Sequence, residues 1–582
     1  MLNNFRCYFY KFKDYQKPLE KYVFPLILLL FPLVGVNAGL DISDTTYNLG
    51  NYEYMNSINP MWLLATFLSN VVGKLIMCLP YGYTMLGFSI YSSFIISAIV
   101  LIAYYGLQAY MPGWMLFIGL FMCEGLCWCP RVIMYNNLTY LFMTLGVIFL
   151  LKGIFAWEKQ NLYLFLAGVF LGVNVFVRFP NITEAAFILV LWFYCFITRE
   201  KISETLRQTF VCILGYACGF GVFYIIASVM YGPMAYFGMI QSLFGMTEGA
   251  SDYSSVGMIS SIVQAYVTTG YDMIIMIPCL VAGIIMFMLL PEKYVLVKKI
   301  LYILGLLILV KFYFSTGVFT RNYFYYDSMF QAAMMFVIIA IILSIIGTTG
   351  VLNGSKQEQT LAFMSLIIIL ITPLGSNNYT FPVINNLFYV APITLWLMRR
   401  LMQRLGEAQY HFSWQSMITM VIVVTLIQGT LFRINFSFVD GADGQVRDAT
   451  VSMIPKVRHM VTTRDNADSV EELYAFLYTN DLLDQKTILF GGIPGLAYVY
   501  DLEPAIDTIW PDLDSYTTET FDNQLMELST SENPTPMIIV GAQMQDYANI
   551  GEKYDILLDY IANHDYNKVF ESERFIVFTE NK

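Results

Sequence analysis

Apolar runs long enough to cross a bilayer, which takes about 20 residues, recur from residue 22 to residue 433 of this chain. Inside a bilayer no water is available to bond backbone polar groups. Spanning segments must therefore be helices or closed barrels, and runs of this length are helices. Thirteen apolar runs can be placed, some of them short, at 22–39, 83–106, 112–128, 133–151, 162–178, 183–198, 209–230, 273–290, 299–316, 329–347, 359–374, 386–398 and 414–433. Charged residues make up only 13% of the chain, against roughly 25% in a soluble domain. The net charge of -11 comes mostly from the segment after residue 434. That points to an acidic domain beyond the last span and gives no reason to expect nucleic acid as a partner.

Arg6, Lys11, Lys13, Lys17 and Lys21 precede the first apolar run, and no clean small-x-small cleavage site closes it. We read this run as a first span held by its basic flank, with the N-terminus cytoplasmic. Alternate loops then carry Lys152 and Lys159; Arg199, Lys201 and Arg207; Lys293, Lys298 and Lys299; Lys356; and Arg399, Arg400 and Arg404. The opposite loops hold few Lys or Arg, which is the positive-inside pattern. The expectation is a multi-pass α-helical protein of the plasma (inner) membrane. It comprises a transmembrane domain over 1–433, with outer loops at 40–80 and 231–272, and an extracytoplasmic α/β domain over 434–582.

Residues 60–79 read as helices lying in the interface. Within 434–582, Ser469 to Glu472 reads as a capping box opening a helix through Tyr478. Buried strands are expected at Lys486–Phe490 and Met537–Val540, a helix at Glu552–Asn563 and a last strand at Phe575–Phe578. The turn Gly491–Gly495 reads as structural, because it lacks phosphate-loop spacing. Cys123, Cys127 and Cys129 cluster at a helix end, but the chain has only three His. Small apolar helix residues are the better reading than a metal site, so neither metal nor cofactor is expected.

Charges at membrane depth are costly and usually have a partner or a task. They gather on one side here: Asp41, Asp44 and Glu53 after the first span, Lys74 in the interfacial stretch, Glu124 and Arg131 around the third loop, Arg178, Lys311, Arg321 and Asp327. Some have structural readings. Asp41 and Asp44 suit a helix stop and an N-cap, Arg178 and Arg321 suit head-group anchors, and Glu124 with Arg131 suits an ion pair. Both signs on one side nevertheless suggest a polar cavity opening outwards. Transfer from a lipid-phosphate donor fits such a cavity: a carboxylate acts as general base on an acceptor hydroxyl, and Arg or Lys holds the departing phosphate.

These residues carry a family resemblance. The chain resembles the GT-C glycosyltransferases of the protein O-mannosyltransferase and aminoarabinose-transferase type, in overall architecture and in short motifs. In that family the catalytic Asp lies just after the first span, where this chain has Asp41 and Asp44; Asp44, followed by Tyr47, matches better. Pro130, Arg131, Tyr135, Asn136, Asn137 and Thr139 resemble the start of the family's fourth span. Many relatives have an Asp there, and Glu124 is the candidate substitute. Gly172 with Arg178–Asn181, Pro373–Asn378 and Phe490–Gly495 resemble further signatures.

The resemblance implies an inverting, metal-independent hexosyl or pentosyl transferase using a polyprenyl-phosphate sugar. It makes Asp44 the base, with Asp41 as the alternative and Glu124 as a further catalytic candidate. Arg178, Lys74, Lys311 and Arg321 become candidates for the donor phosphate. Arg131, Tyr135, Asn136, Asn137 and Glu53 become candidates for the sugar or acceptor pocket. Loop 231–272, with Glu248 and Asp252, is either a lid or a passive connector. The acceptor, whether glycan, lipid or protein, is left open. The main alternative is a transporter or lipid flippase, which would favour internal symmetry and charges near mid-span; a non-enzymatic scaffold is the third reading.

Overall fold

A computed structural model of the chain describes residues 16–156, 158–248, 255–405, 410–441, 444–530, 534–542 and 549–580. Eight of its helical stretches are long and apolar enough to cross a membrane: Met85–Leu107, Met134–Phe155, Gln160–Val177, Phe179–Thr198, Ile202–Tyr231, Val256–Leu289, Phe330–Thr348 and His411–Asn435. The other five apolar runs of the sequence also fall on helices: Phe24–Leu30, Gly113–Leu126, Val295–Thr316, Lys356–Ile371 and Val390–Leu405. The Val295–Thr316 helix is long but carries Lys298, Lys299 and Lys311, while the other four are short. The protein is thus a helical, multi-pass membrane protein with a small C-terminal α/β region.

Segment 231–272 departs from the loop expected there. It is helical over Ala235–Glu248, and Ser255–Ile274 runs on almost directly into Met276–Leu289. Its apolar content extends a neighbouring span, so helix wins over connector. Asp252 and the side chain of Glu248 lie outside the described residues.

Small residues set the tightest contact in the helical bundle. Gly168 and Gly172 on Gln160–Val177 face Gly215 and Gly219 on Ile202–Tyr231, the small-xxx-small pattern of close membrane helix pairs. A Cβ at Gly172 would lie 2.2 Å from the Tyr216 carbonyl oxygen, and one at Gly219 would lie 2.2 Å from that of Val169. Neither neighbour is a side chain that can swing aside. Gly172→Val should therefore force the helices apart and destabilise the protein by roughly 1–3 kcal/mol, the usual cost of overpacking. A thermal melt in detergent matching wild type would refute this.

In the C-terminal region, β1 (Arg447–Thr450) pairs antiparallel with β2 (Val461–Thr463). A second sheet contains β3 (Thr487–Phe490), β4 (Met537–Gly541), β5 (Tyr566–Glu571) and β6 (Phe575–Glu580) in the order β3-β4-β6-β5. β3 and β4 are parallel, with Thr487 opposite Met537. β6 runs antiparallel to both β4 and β5. β3 and β4 are buried at every position, as strands covered on both faces must be. β5 is an exposed edge strand whose mixed sequence gives no clean alternation, which is why it was not legible in the sequence.

The helix expected from Ser469 begins earlier, at Arg464. Thr463 caps it by accepting a bond from Asn466 N at 3.4 Å. Ser469 Oγ instead donates to the Asp465 carbonyl within the helix. A threonine followed by an acidic first turn is an equally good start signal, and it comes first in the chain.

Candidate functional site

The first helix ends at Phe31–Leu33, and the next helix starts at Asp44. The segment between them is clamped by the C-terminal region. Gly39 N donates to the Val461 carbonyl at 2.7 Å, and Val461 N donates to that of Asn37 at 2.8 Å, a strand-like pairing. Asp440, buried, accepts from Leu40 N at 2.9 Å, from Thr462 Oγ1, from Asn466 Nδ2 at 3.1 Å and from Arg447 Nε at 2.7 Å. Asn466 Nδ2 also reaches the Leu40 carbonyl.

The turn Gly491–Gly495 closes onto the same segment. Gly495 N donates to the Ile42 carbonyl at 2.8 Å, and a Cβ at Gly495 would lie 1.8 Å from Thr46 Oγ1. Only glycine permits that approach, which gives the turn its role as a docking surface.

This clamp holds two carboxylates in different states. Asp41 is fully engaged: it accepts from Ser43 N at 2.8 Å, Ser43 Oγ at 2.5 Å and Thr45 N at 2.7 Å. It thereby caps the Asp44–Glu53 helix. Burial raises its carboxyl above the usual range, and the Ser43 and Thr45 bonds oppose that rise. Asp44 is the first residue of the helix, and its carboxylate has no hydrogen-bond partner among the described residues. Burial, with the charge of Asp41 adding to it, pushes Asp44 up to about 7. A carboxylate poised near neutrality and not committed to structure is suited to take a proton. Tyr326 lies within its electrostatic reach, and Tyr47, one turn along, packs edge-on against Trp510 at 5.0 Å.

Beside these residues is a cavity of about 60 Å³. Asp41, Thr45, Trp128, Arg131, Phe432, Arg433, Phe436 and Phe438 line it. Arg131 donates to the carbonyls of Gly35 at 2.8 Å and Val34 at 2.5 Å. Arg433 donates to those of Cys127 at 3.2 Å and Pro32 at 3.1 Å. Both therefore sit at the carbonyl end of the first helix, where positive charge is favourable.

Glu124 is buried on Gly113–Leu126, and neither of its oxygens has a hydrogen-bond partner among the described residues. The charge that acts on it is Arg433, and it forms no ion pair with Arg131 among those residues. Asn137 donates to the Arg131 carbonyl at 2.6 Å. Asn136 is half-buried in the same turn.

The other candidates fall elsewhere. Arg178 donates to the Gly375 carbonyl and lies over the Tyr135 ring at 5.9 Å, which joins the Arg178–Asn181 and Pro373–Asn378 segments. Lys74 donates to the Glu53 carbonyl at 2.8 Å, and the Glu53 carboxylate pairs with Lys456 at 2.6 Å. Lys456 also meets Asp501 at 2.7 Å. Glu53 and Lys74 thus belong to a second contact with the C-terminal region, at the far end of the Asp44–Glu53 helix. Lys311 is exposed on Val295–Thr316. Arg321 is exposed with its guanidinium 5.4 Å from the Phe314 ring centroid. Neither touches another candidate among the described residues. Cys127 and Cys129 have their sulfurs 3.8 Å apart, and no group of three or more His, Cys, Asp or Glu among the described residues is placed to hold a metal ion.

The chain is similar overall to several solved structures. The oligosaccharyltransferase of Archaeoglobus fulgidus, in complex with zinc and sulfate, is 12% identical, with 94% of this chain and 71% of that one covered and a TM-score of 0.47. The same archaeal enzyme with an inhibitory peptide and a dolichol-phosphate is 11% identical, covering 96% and 73%, with a TM-score of 0.46. ArnT from Cupriavidus metallidurans, bound to undecaprenyl phosphate, is 11% identical over 96% of this chain and 97% of that one, with a TM-score of 0.40. No family model matches the chain, and no curated protein is similar to it.

Reasoning from the sequence missed Arg433, Asp440 and Asn466. Arg433 ends the last apolar run and reads as an ordinary basic flank, although the preceding loop already carries Arg399, Arg400 and Arg404. Basic residues at both ends of one span were the available signal. Asp440 and Asn466 look like loop and helix polar residues, and only pairing across about 400 positions gives them their role.

Proposed function

We propose that the protein is a glycosyltransferase that moves a sugar from a polyprenyl-phosphate donor to an acceptor hydroxyl, with Asp44 as general base. The observation that carries this reading is the contrast between two adjacent carboxylates. Asp41 is consumed by structure, whereas Asp44 is partner-free among the described residues, adjacent in the chain to Thr45 on the wall of an arginine-lined cavity, and near neutrality.

The acceptor oxygen attacks the anomeric carbon as its proton passes to Asp44. The bond between that carbon and the phosphate oxygen breaks, and the phosphate leaves with the electron pair on its lipid. Attack opposite the leaving group inverts the anomeric centre. Desolvation makes the guanidinium charges more effective on the phosphate that accumulates charge.

The membrane fixes where such chemistry can occur, since an isoprenoid donor cannot leave the bilayer. The proposed site is on the extracytoplasmic face, with the C-terminal α/β domain outside. The purified protein, given polyprenyl-phosphate hexoses and pentoses in detergent, is expected to release polyprenyl phosphate. Absence of release across such a panel, from protein that melts cooperatively, would reject the reading.

A further inference from the structure

Two arginines share one small cavity, and neither forms an ion pair with a carboxylate among the described residues. Arg131 and Arg433 both line the cavity, where the charge of Arg433 is close enough to repel that of Arg131. Their bonds go to neutral backbone carbonyls, and in each the Nε–H is buried without a partner. The carbonyl bonds fix the planes of both forks and leave further N–H donors unused. Asp41, the carboxylate on the wall, has its oxygens taken up by Ser43 and Thr45. Burying two like charges together is costly unless an opposite charge joins them.

The cavity also has a chemically distinct wall. Trp128, Phe432, Phe436 and Phe438 line it, with Trp128 and Phe432 packed edge-on at 5.0 Å. At about 60 Å³ it holds roughly four to six waters, enough for one tetrahedral oxyanion. A sugar ring would project out of it.

We infer that Arg131 and Arg433 form an anion site for the phosphate of a lipid monophosphate, whose first apolar carbons lie against the aromatic wall. This deepens the proposed function and rests on it for the identity of the ligand. It moves the phosphate from Arg178, Lys74, Lys311 and Arg321 to a pair that includes a residue without any earlier assignment. Forked guanidinium groups can each engage two phosphate oxygens, which a lysine cannot do.

The test uses the full-length protein in detergent, with undecaprenyl phosphate and inorganic phosphate as separate probes. Lipid phosphate should bind wild type, and Arg131→Gln and Arg433→Gln should each weaken it by roughly tenfold to a hundredfold, the range for a lost hydrogen bond to a charged group. Arg433→Lys keeps the charge and loses the fork, so it should recover only part of the affinity. Inorganic phosphate should compete weakly, because it cannot use the aromatic wall; equal affinity for both probes would overturn the lipid assignment. Unchanged lipid-phosphate affinity in both Gln variants would overturn the site.

If either variant does not fold, a wild-type structure with undecaprenyl phosphate decides. Phosphate density between the two guanidinium groups supports the site, and density at Arg178 or elsewhere sinks it. Sugar transfer is measured in parallel. Binding that depends on the arginines without any transfer would spare the site and reject the glycosyltransferase reading. Transfer with affinity indifferent to the arginines would do the reverse.

Discussion

Asp44→Asn should lower sugar transfer by about 10²–10⁴-fold, the usual contribution of a positioned general base. The loss should appear in kcat, while donor binding stays close to wild type, because the base touches the acceptor and not the phosphate. The amide is isosteric, and the carboxylate it replaces has no hydrogen-bond partner among the described residues, so the variant should melt with wild type.

Asp44 must be ionised to accept a proton, and its carboxyl is held up to about 7 by burial and by Asp41. Activity should therefore climb as pH rises through about 7 and level off above it. Asp41→Asn removes the neighbouring negative charge, which should move that rise to lower pH. Asp41→Asn also replaces one acceptor with an amide that cannot serve Ser43 and Thr45 equally, so some stability should be lost as well. Full transfer by Asp44→Asn, or a profile flat through neutrality, would remove Asp44 from the mechanism.

Asp440→Ala is expected to have the largest effect on stability, about 3–5 kcal/mol, the range for removing one partner of a buried ion pair. Asp440 is buried, pairs with Arg447 at 2.7 Å and gathers Leu40 N, Thr462 Oγ1 and Asn466 Nδ2 around one carboxylate. Without it Arg447 Nε, Leu40 N and Thr462 Oγ1 lose their acceptor at once, and Asn466 Nδ2 keeps the Leu40 carbonyl. The same change frees the segment that holds Asp41 and Asp44, so transfer should fall further than the stability loss alone predicts. Denaturation and transfer measured on one preparation check both parts. A variant within about 1 kcal/mol of wild type would mean that the clamp is held elsewhere, for instance by Lys456 with Glu53 and Asp501.

Helical apolar runs were legible because they depend on local composition and length, which a bilayer enforces segment by segment. The strands at Thr487–Phe490, Met537–Gly541 and Phe575–Glu580 were legible for a similar reason: buried strands show as short apolar runs. The edge strand Tyr566–Glu571 and the helical character of 235–274 were not. Half-exposed strands carry no clear pattern, and a loop length measured between apolar runs hides helices of lower hydrophobicity.

Among the site residues, Asp44 was singled out by its place after the first span and by the family resemblance. Its separation from Asp41 was not legible, because both are aspartates three positions apart. Hydrogen bonds from Ser43 and Thr45 decide between them, and those depend on how the chain turns into the next helix.

The sequence alone determined that this chain lives in a membrane, roughly where it crosses, and that acidic residues follow its first span. These follow from hydrophobicity and charge, which act over a few turns of chain. Only the tertiary structure decided that Arg131 meets Arg433, that Glu124 answers to Arg433, and that residues 440–495 grip residues 37–46. Those pairings join positions far apart in the chain, through groups whose partners no local pattern encodes. Lys311 shows the same limit from the other side: its depth within an apolar run suggested a task, and the rotation of its helix leaves it exposed.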